Sequence, residues 1–151
     1  MHGRGRFDLE TEADLFGAQL SAQLGAARQH TMIICDKTIA NVLAYAWLVL
    51  DAPPGSREAA VLTAMEAFCR AWAPVYDIVF YCCDNYDQQQ AGDPYRAKVL
   101  DLQEAADRVV RQTCATAGQH IIDIPPCMTT AERVEWIAAR VARLPKAITP
   151  P

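Results

Sequence analysis

Apolar residues recur at intervals of three and four along five stretches of this chain, which is the spacing of helices with one buried face. Ser56 can cap the third stretch, and Pro74 ends it. Gly118 follows the fourth stretch, and Thr129 and Glu132 match a capping box before the fifth. The predicted helices cover residues 7–28, 38–50, 57–73, 95–117 and 130–144.

Three short apolar runs alternate with these helices, at Thr31–Cys35, Ile78–Cys83 and His120–Ile124. Nearly continuous apolar runs are typical of parallel strands that are buried on both faces. Strands alternating with helices indicate crossover connections and a parallel sheet. We therefore predict an α/β, three-layer α-β-α fold with a small, mainly parallel sheet. The domain covers residues 7–144, between a flexible terminus (1–6) and an irregular tail (145–151).

A charged pair, Asp36 and Lys37, directly follows the first predicted strand. Ligands of open α/β sheets bind outside the carboxyl ends of the strands. The sequence therefore predicts that Asp36 and Lys37 lie where chemistry takes place. The alternative is that Asp36 only caps the helix that follows.

Composition restricts the classes of partner. The net charge is -4 and 52% of the residues are hydrophobic, so we expect a globular domain without a broad basic surface for nucleic acid. The basic N-terminus has no apolar segment after it, and no apolar run approaches the length of a membrane span. We expect a cytoplasmic protein that binds neither nucleic acid nor membranes.

The six cysteines are expected to be free thiols, most of them buried, because four lie in predicted strands or helices and the chain is expected to be cytoplasmic. There is no CxxC motif, and no histidine lies at zinc-site spacing from a cysteine pair. If any cysteine has a redox or metal role, the pair to consider is Cys82 and Cys83 at the end of a predicted strand, but adjacent cysteines do not easily share one tetrahedral metal site.

The order of features resembles the AAA-type P-loop domains related to bacterial ribosylnicotinamide kinase and, more distantly, to nucleoside and thymidylate kinases. The resemblance covers roughly residues 7–143. The segments that carry it are Asp36-Lys37, Asn41-Val-Leu-Ala-Tyr45, Tyr76-Asp-Ile-Val-Phe-Tyr81, the polar loop 84–94, Arg96, and Glu132-Arg-Val134.

The resemblance implies roles for several residues. Asp36 matches an acid that acts near Mg²⁺ and the phosphoacceptor hydroxyl, and Lys37 stands where the family usually has arginine. Asn41 occupies a position where a second aspartate is common. Arg96 matches a lid arginine that clamps the transferring phosphate, with Lys98 near it; the alternative for Arg96 is an exposed cation in a first helical turn. The implied cofactors are Mg²⁺ with ATP or GTP, if nucleotide binding is retained.

The phosphate loop of this family, Gly-x-x-x-x-Gly-Lys-Ser/Thr, does not occur in the 151 residues, where no glycine precedes a lysine. Catalysis by the chain alone is therefore expected to be weak or absent, because phosphoryl transfer depends on neutralising the phosphates. The strand before that loop normally lies between the strands that match Thr31–Cys35 and Ile78–Cys83. Either these two strands pair directly, or another chain supplies the strand, or the fold is unstable. An open central edge would promote association with other chains.

Three hypotheses follow. The first is a kinase-like, P-loop-type nucleotide-binding domain that transfers phosphate to a small molecule once a phosphate loop completes it. The second is a non-catalytic assembly module, a pseudo-kinase, that forms a homodimer or docks a protein through its sheet. The third is an enzyme of different chemistry at Asp36, although no Ser/His/Asp or Cys/His motif is visible.

Overall fold

The structure is a computed structural model and describes residues 8–82 and 100–145. It is a mixed α/β protein in which helices predominate. The described elements are α1 (Leu9–Ala27), α2 (Ile39–Val49), α3 (Arg57–Trp72), a 3-10 turn (Ala73–Val75), β1 (Val79–Cys82), α4 (Leu100–Thr116), β2 (Ile121–Ile124) and α5 (Thr130–Val141).

The local signals that bound the helices are confirmed. The Ser56 hydroxyl accepts a hydrogen bond from the amide of Ala59 at 3.0 Å, and Thr129 and Glu132 make both bonds of the capping box. Gly118 has a φ of 75°, the left-handed conformation in which glycine commonly follows a helix. These residues satisfy terminal N–H and C=O groups that a helix cannot pair internally.

The sheet has two strands in the described part of the chain. β1 and β2 are parallel, and their register sets Val79 opposite Ile121 and Tyr81 opposite Asp123. The predictions of strands at Ile78–Cys83 and His120–Ile124 are therefore confirmed, with slightly shorter bounds.

The prediction of a strand at Thr31–Cys35 is wrong, because these residues form no strand. Met32, Ile33 and Ile34 are instead 66%, 39% and 90% exposed. An apolar run becomes a strand only when a neighbouring backbone accepts its hydrogen bonds. Here β1 pairs with β2, and not with Thr31–Cys35.

The core is organised around α2. Its residues Ile39, Ala40, Leu43, Ala44 and Ala46 are at most 1% exposed. A helix that is apolar on most sides must be covered on most sides. The covering side chains include Phe16 from α1, Leu62, Met65 and Cys69 from α3, and Val110 and Cys114 from α4.

Helices contact both faces of the small sheet. Tyr81 and Ile121 pack against the helical core, whereas the alternate residues Phe80 and Cys82 face α5. The ring of Phe80 lies 5.7 Å from that of Trp136, and the guanidinium of Arg133 donates to the Cys82 sulfur at 3.1 Å.

The cysteine prediction is confirmed only in part. The five cysteines in the described residues are free, but only Cys69 and Cys114 are buried. Cys35 is half-buried, and Cys82 and Cys127 are exposed. Cys83 lies outside the described residues.

None of the described helices combines the length and apolarity needed to cross a bilayer.

We predict that Leu43→Ala lowers the free energy of unfolding by about 2–5 kcal/mol, because Leu43 is fully buried and the substitution leaves a cavity in the core. Leu15→Ala is the matched control, because Leu15 is 53% exposed, and it should change stability by less than about 0.5 kcal/mol. Urea unfolding followed by circular dichroism measures both. Equal losses would contradict the central position of α2.

Candidate functional site

The turn formed by Asp36 and Lys37 is exposed and leads directly into α2. The carbonyl of Lys37 accepts hydrogen bonds from the side-chain amides of Gln19, at 2.8 Å, and Gln23, at 3.5 Å. The ammonium of Lys37 lies 5.2 Å from the centre of the Tyr45 ring, within the range of a cation–π contact. Helix α1 thus holds the backbone of this turn, while its charges face solvent.

Side-chain hydroxyls of the protein accept hydrogen bonds from the backbone amides at the N-terminus of α2. Thr38 caps the helix by accepting from the amide of Asn41 at 3.2 Å, so the alternative in which Asp36 is the cap is wrong. The amide of Ile39 donates to the Tyr76 hydroxyl at 3.1 Å, and that hydroxyl donates to Gln23 at 2.9 Å. Burial raises the pKa of Tyr76, which keeps the proton that this second bond requires.

These contacts locate the Asp36–Lys37 turn relative to the sheet. Tyr76 lies just before β1, and Gln119, which accepts from the Thr38 hydroxyl at 3.4 Å, lies just before β2. The turn is therefore near the amino ends of the strands, not the carboxyl ends that the sequence led us to expect. The physical reason is that Thr31–Cys35 is not part of the sheet, so nothing directs the residues after it to the carboxyl edge. The catalytic roles of Asp36 and Lys37 remain predictions.

The described residues do not by themselves form a cradle for a magnesium–nucleotide complex. No group of three or more potential metal-binding side chains occurs among them, so Asp36 has no carboxylate or thiolate cluster to share an ion. The buried Nε2 of Gln119 has no partner in residues 8–82 and 100–145, but one side-chain donor does not replace the backbone amides of a phosphate loop. The polar loop 84–94, Arg96 and Lys98 lie outside the described residues.

A second polar cluster lies beside the strands themselves. The guanidinium of Arg111 donates to Asp123 at 2.8 Å and to Asp107 at 3.2 Å, and it lies 4.2 Å from the centre of the Tyr81 ring. The Tyr81 hydroxyl donates to Asp107 at 2.5 Å. One arginine of α4 therefore connects a side chain of β1 with a side chain of β2.

The electrostatics of this cluster favour a structural role. Burial, assisted by the Asp107 carboxylate, raises the pKa of Tyr81, and the hydrogen bond to Asp123 raises the pKa of Arg111. Neither group gives up its proton near neutral pH, so neither is suited to act as a general base. The cluster positions α4 over the paired strands and holds Tyr81 opposite Asp123.

The sequence contained a partial signal for this cluster. Asp107 and Arg111 are four residues apart on one helix, a spacing that permits an ion pair. Tyr81 and Asp123 are each the third residue of a strand, but only the observed register brings them together.

Comparisons with known protein families, with curated proteins and with solved structures find no match to this chain.

We predict that Tyr81→Phe changes the pH dependence of stability. A tyrosine whose pKa is raised on folding stabilises the protein fully below its ordinary pKa of 10.0, and this stabilisation is lost as pH rises through the folded-state pKa. The free energy of unfolding of the wild type should therefore fall more steeply above pH 10.0 than that of the variant.

Urea unfolding at a series of pH values measures this difference. At neutral pH the variant should lose only the hydrogen bond to the Asp107 carboxylate, at a cost of about 1.5–3 kcal/mol, the range for hydrogen bonds to charged groups. Parallel stability curves for the two proteins in the alkaline range would contradict the assigned environment of Tyr81.

Proposed function

We propose that this chain is a kinase-like nucleotide-binding domain that becomes competent when a further strand with a phosphate loop completes its sheet. The observation that carries the proposal is an apolar segment that could form a strand and is left outside the sheet. Ile34 is 90% exposed and Met32 is 66% exposed, directly before the central helix of the core.

The small sheet supports the same proposal. β1 pairs with β2 alone in the described part of the chain, and two strands are fewer than a stable sheet normally has. One strand inserted beside β1 would offer a hydrogen-bonding edge to Thr31–Cys35 as well. Two features that are unfavourable in isolation, an exposed apolar run and a short sheet, would then be resolved by one addition.

The connections between elements are compatible with this class of domain. Parallel strands β1 and β2 are joined through α4, and helices contact both faces of the pair. These features accord with a three-layer P-loop arrangement, as does the order of the motifs along the chain. A completed sheet would draw Thr31–Cys35 into line with β1 and carry Asp36 and Lys37 toward the carboxyl ends. This shift requires the contacts of Ile39 with Tyr76 and of Thr38 with Gln119 to break.

In that position each charged residue has a chemical role. Asp36 would orient the acceptor hydroxyl or a magnesium ion, and Lys37 would offset charge on the transferring phosphate. Arg96 and Lys98 would contribute further positive charge. The chain alone would hold nucleotide weakly, because the backbone donors of a phosphate loop are the main phosphate ligands.

The test is a hybrid in which a strand, a Gly-x-x-x-x-Gly-Lys-Ser loop and a helix are joined to the chain ahead of Asp8 through a flexible linker. We expect the hybrid to bind magnesium–ATP with micromolar affinity in calorimetry, and the 151-residue chain not to bind it. Hydrogen exchange at residues 31–35 should slow in the hybrid, because these amides would enter the sheet.

Two variants of the hybrid act as controls. Changing the loop lysine to alanine should abolish ATP binding. Asp36→Asn should preserve ATP binding while removing transfer of the terminal phosphate to water, which is measured as release of inorganic phosphate and ADP. Fast exchange at residues 31–35 together with no ATP binding by the hybrid would overturn the proposal.

A second candidate function is assembly without catalysis, in which a second copy of the chain covers the same segment. The specific observation is that one chain holds both a donor, the exposed Met32–Ile34 run, and an acceptor, the strand pair β1–β2. Two copies could exchange these elements reciprocally, as closed twofold interfaces require.

If this candidate is correct, size-exclusion chromatography with light scattering should give a molar mass twice the 16.6 kDa of the chain. Ile34→Lys should return the protein to the monomer. Val134→Lys is the matched control, because Val134 is 61% exposed but lies on α5. A monomeric wild type at its highest soluble concentration would exclude self-assembly and leave the kinase-like proposal standing.

A further inference from the structure

A groove of about 360 Å³ lies among α2, α3 and α4, away from the Asp36–Lys37 turn and the exposed Met32–Ile34 run. The groove is open to solvent, and its volume is at the lower end of the range of sites that hold small molecules. Its lining combines apolar side chains with a few polar ones: Trp47, Val109, Glu66, Arg108, Gln112 and Thr113.

The negative charge in the lining of the groove is already neutralised. Glu66 forms an ion pair with Arg70 at 3.3 Å, and Arg70 also donates to the carbonyl of Thr116 at 3.3 Å. The carboxylate is therefore already matched, and Arg70 ties α3 to α4 at this point. A cationic ligand would have to displace Arg70 to reach Glu66.

Arg108 behaves differently from Arg70. Its side chain is exposed at the groove and makes no ion pair or hydrogen bond within residues 8–82 and 100–145. An unmatched guanidinium beside an apolar surface is well suited to a carboxylate, which it can bind with two parallel hydrogen bonds. The charge that the groove offers to a ligand is therefore positive, although the chain as a whole has a net charge of -4.

The remaining lining residues can contact a small apolar group of a ligand. Trp47 is half-buried and presents part of a large aromatic surface, and Val109 adds an aliphatic contact. Aromatic rings pack favourably against tryptophan in offset or edge-to-face arrangements. Gln112 also lines the groove, and its side-chain amide already donates to the Thr116 hydroxyl at 3.4 Å.

We propose that this groove binds a small aromatic monocarboxylate. The carboxylate pairs with Arg108, and the ring packs against Trp47 and Val109. The site is distinct from the proposed nucleotide site, since no lining residue belongs to the turn or to the strands.

Phenylacetate is a suitable probe. 2-Phenylethanol and phenethylammonium have the same phenyl ring on a short aliphatic chain and serve as the neutral and cationic comparison compounds. Titration followed by protein NMR should show saturable binding of phenylacetate, with shifts in the indole signal of Trp47. The neutral probe should bind about twofold to fivefold more weakly, because the ion pair with the exposed Arg108 is lost, and the cation more weakly still.

Arg108→Gln should weaken phenylacetate binding about twofold to fivefold, because Arg108 is exposed and an exposed ion pair contributes modestly. Arg108→Lys should restore part of the affinity because it returns the charge but not the planar fork. Arg143→Gln is the matched control, because Arg143 is exposed and outside the groove, and it should bind as the wild type does. Arg108 is exposed, so its replacement should leave the thermal unfolding temperature unchanged.

Three results would overturn the inference. They are non-saturable binding of phenylacetate to the full chain, equal affinity for the neutral probe, and unchanged affinity in Arg108→Gln. ATP binding by the hybrid does not involve Arg108, so either proposal can fail while the other stands.

Discussion

The burial of α2 is the constraint on which the rest of this structure depends. The helix is apolar on most of its sides, so it must be surrounded, and α1, α3 and α4 each contribute side chains that cover it. Its N-terminus is held by Tyr76 and by the contact of Thr38 with Gln119, which come from the segments before β1 and β2. The position of the helix therefore decides where the preceding turn lies and which strands find partners.

This arrangement explains why both candidate functions involve a missing contact. With the start of α2 held near the amino ends of the strands, Thr31–Cys35 does not pair with β1. The apolar surface of Met32 and Ile34 stays in water, and burying a side chain of this kind stabilises a protein by about 1.5–3 kcal/mol. A strand from elsewhere, or a second copy, would recover that energy.

Two arginines of α4 differ in whether their charge is paired within the protein. Arg111 forms ion pairs with two carboxylates and contacts the Tyr81 ring, and these contacts hold α4 against the strands. Arg108, one turn earlier, has no such partner in the described part of the chain and lies at an apolar groove. The two residues are chemically identical, and only their surroundings suit one for support and the other for binding.

The sequence by itself determined the five helices and the end signals at Ser56, Gly118 and Thr129 with Glu132, because such caps act through hydrogen bonds within a few residues. It did not identify Thr38 as the cap of α2. It also determined the strands at β1 and β2. It did not determine the fate of Thr31–Cys35, since an apolar run becomes a strand only beside a distant backbone. Nor did it bring Arg111 to Asp123, although the pairing of Arg111 with Asp107 could be read from their spacing. The tertiary structure alone decided these contacts, and with them the position of Asp36 and Lys37, because they join segments far apart in the chain whose register no local pattern encodes.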